Sequence, residues 1–492
     1  MKFRACLAIA VIAIACVSRA SAQPATKPAA EEAIHVTVLP GARQTFAGFG
    51  AGVSNFNSYY TKLPKAAREE LARLIWRDLK FKTLRLWMQT NEYAPQPGMH
   101  DLKIFKETYI DSGVIADAKK FGCTTLLLAP DSLPDSMKEK HDDGTLWLKA
   151  SETANYAKLL ADCIQQLKVD YGVTINATGI QNEASDMDRF APELMADVVA
   201  KLRADLDGRG LKDVKIIATE NSSASREIFC VEVDALKANP LAWKGLAGIA
   251  SHSYNMAATE EVAQRIAGPK GENTKEYWMT EAADGGNEVP GDIFRAISMP
   301  ARFLNDMNHR VTHWIHFQAY ENVRPDDIGC CILTFKNDPP KITPFLKYQS
   351  YLQLTNTFDV GAVFRHSQSS LEGEMTWTYG PKPRVIVAAA KNPDGTWAIG
   401  ITNFTADSFK KVYSDTDEKW NVEQGGFTPA RTFNVTIEVA ELKNAGPVKF
   451  AVRQTNAKVA NAAGQSLVMK NGLLTLPMAS MELITLRSAP LR

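Results

Sequence analysis

The sequence predicts an α/β fold: a (β/α)8 TIM barrel with an associated C-terminal β-sandwich. Three observations predict it. Eight pairings of a short β-rich run with a longer helical run follow one another between residues 45 and 355, the element count of a closed barrel. After residue 358 that rhythm stops, and short β-rich pieces separated by Gly, Pro, Asn and Asp continue without a long helical stretch. The chain has 492 residues, 45% hydrophobic and 23% charged. That ordinary composition excludes a disordered or collagen-like chain, and the length exceeds what one core usually organises.

The barrel elements follow in order. Residues 46–53 are the first strand, and 65–79 a helix in which Leu71, Leu74 and Ile75 recur at the helical period. The second strand, 83–87, precedes a helix over 111–120. The third, 124–129, is closed by Pro130 and followed by a helix over 154–168. The fourth, 174–180, leads to a helix over 193–206 that Gly208-Arg209-Gly210 terminates. Strands 214–218, 246–251 and 277–280 precede helices 228–238, 260–266 and 293–307. The eighth strand, 313–319, precedes a helix over 345–354. An open doubly wound sheet would want a phosphate-binding turn in its first crossover. The glycine-rich run 46–52 does not match GxGxxG, and its glycines suit close backbone packing at a barrel mouth.

Beyond residue 358 the strands are expected at 385–390, 397–402, 431–439, 448–454, 473–476 and 481–486. Residues 34–39 are also β-like and can return to pair with that sheet, making one rigid body of the two parts. At the other end, Lys2 and Arg4 precede an apolar run over 6–17, and Ala20-Ser21-Ala22 supplies a cleavage site. The expected organisation is therefore a signal peptide at 1–22, an exported tail at 23–33 and a strand-bearing segment at 34–44 that joins the sandwich. The catalytic barrel spans 45–357 and the sandwich 358–492. The product would be secreted or periplasmic. The leader is short for a bilayer span and no later stretch approaches 18 apolar residues, so integral membrane contact is not expected.

Lys plus Arg number 56 against 55 for Asp plus Glu, which gives no sign of a polyanion-binding surface, and no nucleic-acid partner is expected. A monomer is expected. Beyond the leader, Cys123, Cys163, Cys230, Cys330 and Cys331 are odd in number and scattered. They read as buried thiols, with at most one disulfide among them. Neither a Cys/His cluster with metal-ligand spacing nor HExxH or GxSxG motifs occur, so no metal and no cofactor are expected.

Reactive side chains in a barrel collect at the C-terminal strand ends. The fourth strand ends in Gln181-Asn182-Glu183 and the seventh in Thr280-Glu281, a pair of carboxylates of the kind that glycosidic cleavage requires. Trp87, Trp278 and Trp314 mark strand ends where aromatic rings cover the C–H faces of sugars, and Trp147 is placed to line a groove. Arg85 lies in an apolar strand and needs a carboxylate partner if it points inward. His252 and Tyr254, at the sixth strand end, and Glu220, at the fifth, are candidates to support a carboxylate or a hydroxyl. Gln318 and Glu321 are placed at the eighth strand end on similar grounds.

Ile180-Gln181-Asn182-Glu183 and Trp278-Met279-Thr280-Glu281, whose glutamates are 98 residues apart, resemble the retaining glycoside hydrolases of clan A, most closely family 30 and its bacterial xylanase branch. The likeness covers nearly the whole chain beyond the leader. It includes the FxGFG opening at 46–50 and the closing Leu476-Pro477 with Ser480-Met481-Glu482-Leu483. The resemblance implies Glu183 as acid/base, Glu281 as nucleophile, Asn182 on the sugar 2-hydroxyl, Arg85 and Tyr254 supporting the nucleophile, and Trp314 lining the innermost subsite. It implies a retaining hydrolase of a β-linked poly- or oligosaccharide; endo action is the expectation, although endo and exo action depend on groove depth, which loop sequences do not reveal. Ala184-Ser185-Asp186 stands where many relatives have proline, and 313–320 with the loop through Cys331 diverges from the xylanase version. Recognition of a glucuronic acid branch is therefore not carried over. β-1,6-Galactan, β-1,6-glucan and xylan stay open as substrates, and a catalytically silent carbohydrate-binding protein on the same scaffold is the rival function.

Overall fold

The computed structural model describes residues 32–53, 57–186, 188–224, 227–254, 257–268, 275–284, 291–323, 330–370, 385–406 and 430–490. The expected leader lies outside these. Eight parallel strands close a barrel: Gly48–Val53, Thr83–Gln89, Thr125–Asp131, Ala177–Thr178, Lys215–Asn221, Gly248–His252, Glu276–Glu281 and His313–His316. The eighth closes onto the first with Trp314 opposite Phe49 and Ile315 opposite Gly50. A helix follows each strand, the longest being Thr153–Tyr171, Pro192–Gly208 and Ile293–Asn308.

Three strand boundaries depart from expectation. Pro130 does not end the third strand, which runs through it to Asp131 with Pro130 opposite Met88 and Asp131 opposite Gln89. The fourth is two residues long: beyond it Gly179 and Asn182 still donate to the Leu128 and Pro130 carbonyls, but the pairing is no longer regular, and Glu183 sits in the left-handed region with φ 46°. The eighth stops at His316. Gln318–Asn322 belongs instead to a separate three-stranded sheet with Cys331–Asn337 and Pro340–Pro344. Gln318 and Glu321 are thus not at a barrel strand end. They are buried in this sheet, where Gln318 pairs with Cys331 and Glu321 with Thr334.

The barrel interior is filled by Leu127, Ala177, Ile217, Ala250, Trp278 and Ile315, one residue from each of six strands. Because successive side chains alternate across a strand, this set gives the inward parity of those six strands. At its base Trp278 lies parallel to the ring of His313, centroids 3.5 Å apart, and donates from its indole to Glu276. Trp278 is therefore a floor beneath the mouth, out of reach of a sugar.

The sandwich packs a four-stranded sheet against a six-stranded one. Glu32–Val38, the strand preceding the barrel, lies between Ser367–Ser369 and Phe433–Val439 in the smaller sheet. Its inward residues Ile34, Val36 and Val38 join Val435, Ile437, Ile399 and Leu486 in one core. A second cluster is continuous from the barrel helices into the larger sheet, through Phe303, Leu304, Phe358, Ala388, Ala398 and Leu483. Gln353, on the last barrel helix, adds hydrogen bonds to the Arg453 carbonyl and to Thr455. Burial of apolar side chains at about 25 cal/mol per Å² across this seam ties the sandwich to the barrel. Among the described residues no helix is long and apolar enough to cross a membrane, and the five cysteines are free thiols.

Candidate active site

The mouth is built around Arg85. Inward parity on the second strand places Arg85, Trp87 and Gln89 on one face, and Arg85 is fully buried. Its guanidinium donates to Glu281, to Asn182 Oδ1 at 2.8 Å and to Glu220 Oε1 at 3.1 Å. One cation thus ties together the ends of the fourth, fifth and seventh strands. Burial opposes the arginine's charge, but Glu281 and Glu220 more than offset it and hold it protonated.

Glu281 reaches this network because the seventh strand is irregular. Trp278 points inward, so strict alternation would turn Thr280 inward and Glu281 away. The register against the sixth strand shifts between Met279 and Glu281, and this bulge re-aims the glutamate at the mouth. The fifth strand does the same: its register shifts between Thr219 and Asn221, and Glu220, at φ 56°, turns in behind Arg85. A Cβ on Gly179 would lie 1.8 Å from Glu220 Oε2, so only glycine leaves room for that carboxyl. Glu220 is completely buried. Desolvation pushes its pKa up against the pull of Arg85 and His252. It orients Arg85 and has no surface to offer a sugar.

Glu281 accepts from Arg85 on one oxygen and from the Tyr254 hydroxyl on the other, at 2.5 Å. His252, fully buried, sets Nδ1 2.8 Å from Glu183 Oε1 and 3.6 Å from Glu281 Oε2. A carboxylate oxygen of each glutamate and this nitrogen lie within 4.8 Å of one another. Burial disfavours charge on both His252 and Glu183, but the charges of Glu281 and Glu183 outweigh it for the histidine, and the bond to His252 outweighs it for Glu183. The histidine pKa is raised and that of Glu183 lowered. Glu183 is the more open of the two carboxylates, its side chain 20% exposed against 4% for Glu281. The same three groups have ligand atoms close enough to hold a metal ion. A divalent ion would have to displace the bonds from Arg85, Tyr254 and His252 beside a fixed guanidinium charge, so the set fits proton transfer better.

Trp87 forms one wall. Its ring covers Arg85, 4.5 Å from guanidinium to centroid, and packs edge-on against Phe317, centroids 5.6 Å apart. The glycine-rich opening acquires a reason here, since a Cβ on Gly52 would strike the Trp87 ring at 2.4 Å and the Phe317 carbonyl at 2.3 Å. Phe317, half-buried and 6.3 Å from the Tyr254 ring, was not singled out from sequence. Ile315 faces inward, so Phe317, two residues on, follows it into the mouth.

Trp314 does not line a subsite. It is fully buried between the barrel and its helices, against Phe49, Phe303 and Tyr351, and its indole donates to Asp306 at 2.9 Å. Its parity is opposite to that of Ile315, which accounts for the reversal. Desolvation raises the pKa of Asp306 to about 7, with Trp314 among the donors that moderate the rise. Trp314→Phe is expected to lower stability by about 1–3 kcal/mol by stranding a buried acceptor, with KM unchanged. Chemical denaturation alongside steady-state kinetics checks both. Trp147 stacks on His141 and lies under Arg189, in a hairpin beside the mouth.

No protein-family model matches the chain and no curated protein matches it in sequence; the likenesses are three-dimensional. The chain is similar to a GH30 endoxylanase from Clostridium papyrosolvens, with 16% identity, TM-score 0.62, and 93% of this chain and 100% of that one covered. It is similar to SrfJ from Salmonella typhimurium, with 14% identity, TM-score 0.68 and 94% of each chain covered. An endo-β1,6-glucanase aligns with 17% identity, TM-score 0.62, and 92% of this chain and 94% of that one. The barrel-with-sandwich fold is thus one that GH30-type glycosidases adopt.

Proposed function

We propose that this chain is an exported, retaining glycoside hydrolase of the family 30 type, endo-acting on a β-linked poly- or oligosaccharide. The observation that carries this reading is the approach of Glu183, Glu281 and His252 to within 4.8 Å at the barrel mouth. Retaining glycosidases hold their two carboxyl groups about 5–5.5 Å apart, whereas inverting ones leave about 6.5–9.5 Å for a water molecule. The solved structures of similar fold include hydrolases of xylan and of β-1,6-glucan by their descriptions, which supports a polysaccharide substrate.

In the first step a Glu281 oxygen attacks the anomeric carbon. The bond to the leaving oxygen breaks, and that oxygen takes a proton from Glu183. Arg85 and Tyr254 grip both oxygens of Glu281 and fix its plane before substrate arrives, so little reorganisation is needed at the moment of attack. The bond to His252 lowers the pKa of Glu183 in the free protein, and His252 Nδ1 is the group positioned to supply the proton that Glu183 needs. Transfer along the 2.8 Å hydrogen bond loads the acid and leaves a neutral imidazole. In the second step Glu183 takes a proton from water, whose oxygen displaces Glu281 and releases the sugar with retained configuration. Asn182, fixed by Arg85, is placed for the 2-hydroxyl.

The reading is tested by proton NMR of the first-formed product on xylan, β-1,6-galactan, β-1,6-glucan and arabinogalactan. A β-anomer appearing before mutarotation is expected on at least one of them. An α-anomer, or no hydrolysis of any, overturns it.

A further inference from the structure

We infer that Asp131 and Gln89 form the hydroxyl-gripping edge of the innermost subsite and select a neutral sugar there over a carboxylated one. This rests on the glycosidase reading of the mouth. On the third strand Leu127 lies in the barrel interior, so Ala129 and Asp131 share its inward face. Gln89 shares the face of Arg85 on the neighbouring strand. The two residues stand side by side in register at the strand ends, one layer above Trp87 and two above Arg85. Neither strand is bulged there.

Their hydrogen bonding is half-used. Asp131 accepts from Gln89 Nε2 at 3.1 Å on one oxygen and from the Ser132 backbone N–H at 3.0 Å on the other. A carboxylate accepts about four hydrogen bonds and a glutamine amide adds one further donor and an acceptor, so the pair can serve two adjacent sugar hydroxyls. Both residues are half-buried, rigid enough to discriminate and open enough to be reached. Asp131 lies within the electrostatic field of Arg85 and Glu281, and its pKa is raised chiefly by desolvation. Trp87 and Phe317 supply the apolar wall and Asp131 with Gln89 the polar one, matching a pyranose's C–H face and hydroxyl edge. Arg85 is occupied by Glu281, Glu220 and Asn182, and His252 by the two glutamates. A uronic acid carboxylate placed here would therefore meet Asp131, with Arg85 and His252 already engaged.

The test uses aryl β-glucoside, β-galactoside, β-xyloside and β-glucuronide. Each is titrated calorimetrically into the Glu281→Gln protein with and without Asp131→Asn, and hydrolysis is measured for wild type, Asp131→Asn and Gln89→Ala. At least one neutral glycoside is expected to bind tenfold or more tighter than the glucuronide. Asp131→Asn should weaken the neutral ligand at least tenfold and narrow that gap, with a smaller loss for Gln89→Ala. Equal binding of the glucuronide to the parent protein overturns the inference, as does an Asp131→Asn effect below twofold. If the wild type hydrolyses nothing while Asp131 still sets the binding preference, the hydrolase reading fails and this inference stands. Intact turnover with no Asp131 effect gives the converse. Binding of none of the four overturns this inference, while the hydrolase reading is decided by the polysaccharide products.

Discussion

Glu281→Gly is expected to lower kcat on the best polysaccharide by on the order of 10⁴-fold or more, equivalent to about 5.5 kcal/mol of barrier. Among the described residues no other group is placed to form the glycosyl bond, because Arg85 and Tyr254 only hold Glu281 and Glu220 is sealed behind Arg85. The deletion opens a space lined by a guanidinium and a phenol, a suitable seat for a small anion. Sodium azide should therefore restore part of the turnover of an activated aryl glycoside and yield the α-glycosyl azide. Arg85 keeps Asn182 and Glu220 as partners, so a thermal midpoint close to that of the parent should accompany the loss. Activity within tenfold of wild type, or a β-azide product, would remove Glu281 from the nucleophile's role.

The second large effect belongs to Glu183. General acid catalysis contributes about 10²–10⁴-fold, so Glu183→Ala should lose roughly that factor on polysaccharide, where the leaving oxygen needs a proton. A dinitrophenyl glycoside, whose leaving group does not, should lose far less in the first step. Azide attacking the covalent intermediate would then give the β-glycosyl azide, the opposite anomer from the Glu281 case. The pH profile adds an independent readout. Burial lowers the His252 pKa, but the charges of Glu281 and Glu183 outweigh it and the net shift is upward from 6.5. The reactive form carries one proton on the His252–Glu183 pair. Activity should therefore fall as pH rises through the pair's apparent pKa, which is displaced upward from 6.5 and belongs to the pair rather than to either residue. Glu183→Ala should abolish that alkaline limb for the dinitrophenyl substrate. A limb that persists unchanged would assign it elsewhere.

Arg85 shows how far sequence reasoning reaches into the site. A lone arginine in Leu84-Arg85-Leu86-Trp87 demands a buried partner on solvation grounds alone, and the structure supplies Glu281, Asn182 and Glu220. Tyr254, two residues past His252, was likewise placed from the strand-end position. Trp314 shows where that reasoning stops. An aromatic at a strand end reads the same whether it faces the mouth or the helices, and only its parity against Ile315 tells them apart. Asp131 and Phe317 were passed over for a related reason: each lies at or just beyond a strand end whose position was misjudged, after Pro130 in one case and at His316 in the other.

Hydrophobic periodicity is a local property, so the chain by itself determined the eight β–α units, the change of period after residue 358, and which two strings carry Glu183 and Glu281. Tertiary structure alone decided which side chains share the mouth. Side chains alternate every residue along a strand, so one irregularity between Met279 and Glu281, or between Thr219 and Asn221, reverses what faces inward. Those irregularities are set by pairing with a neighbouring strand far away in the sequence, where no local pattern records them.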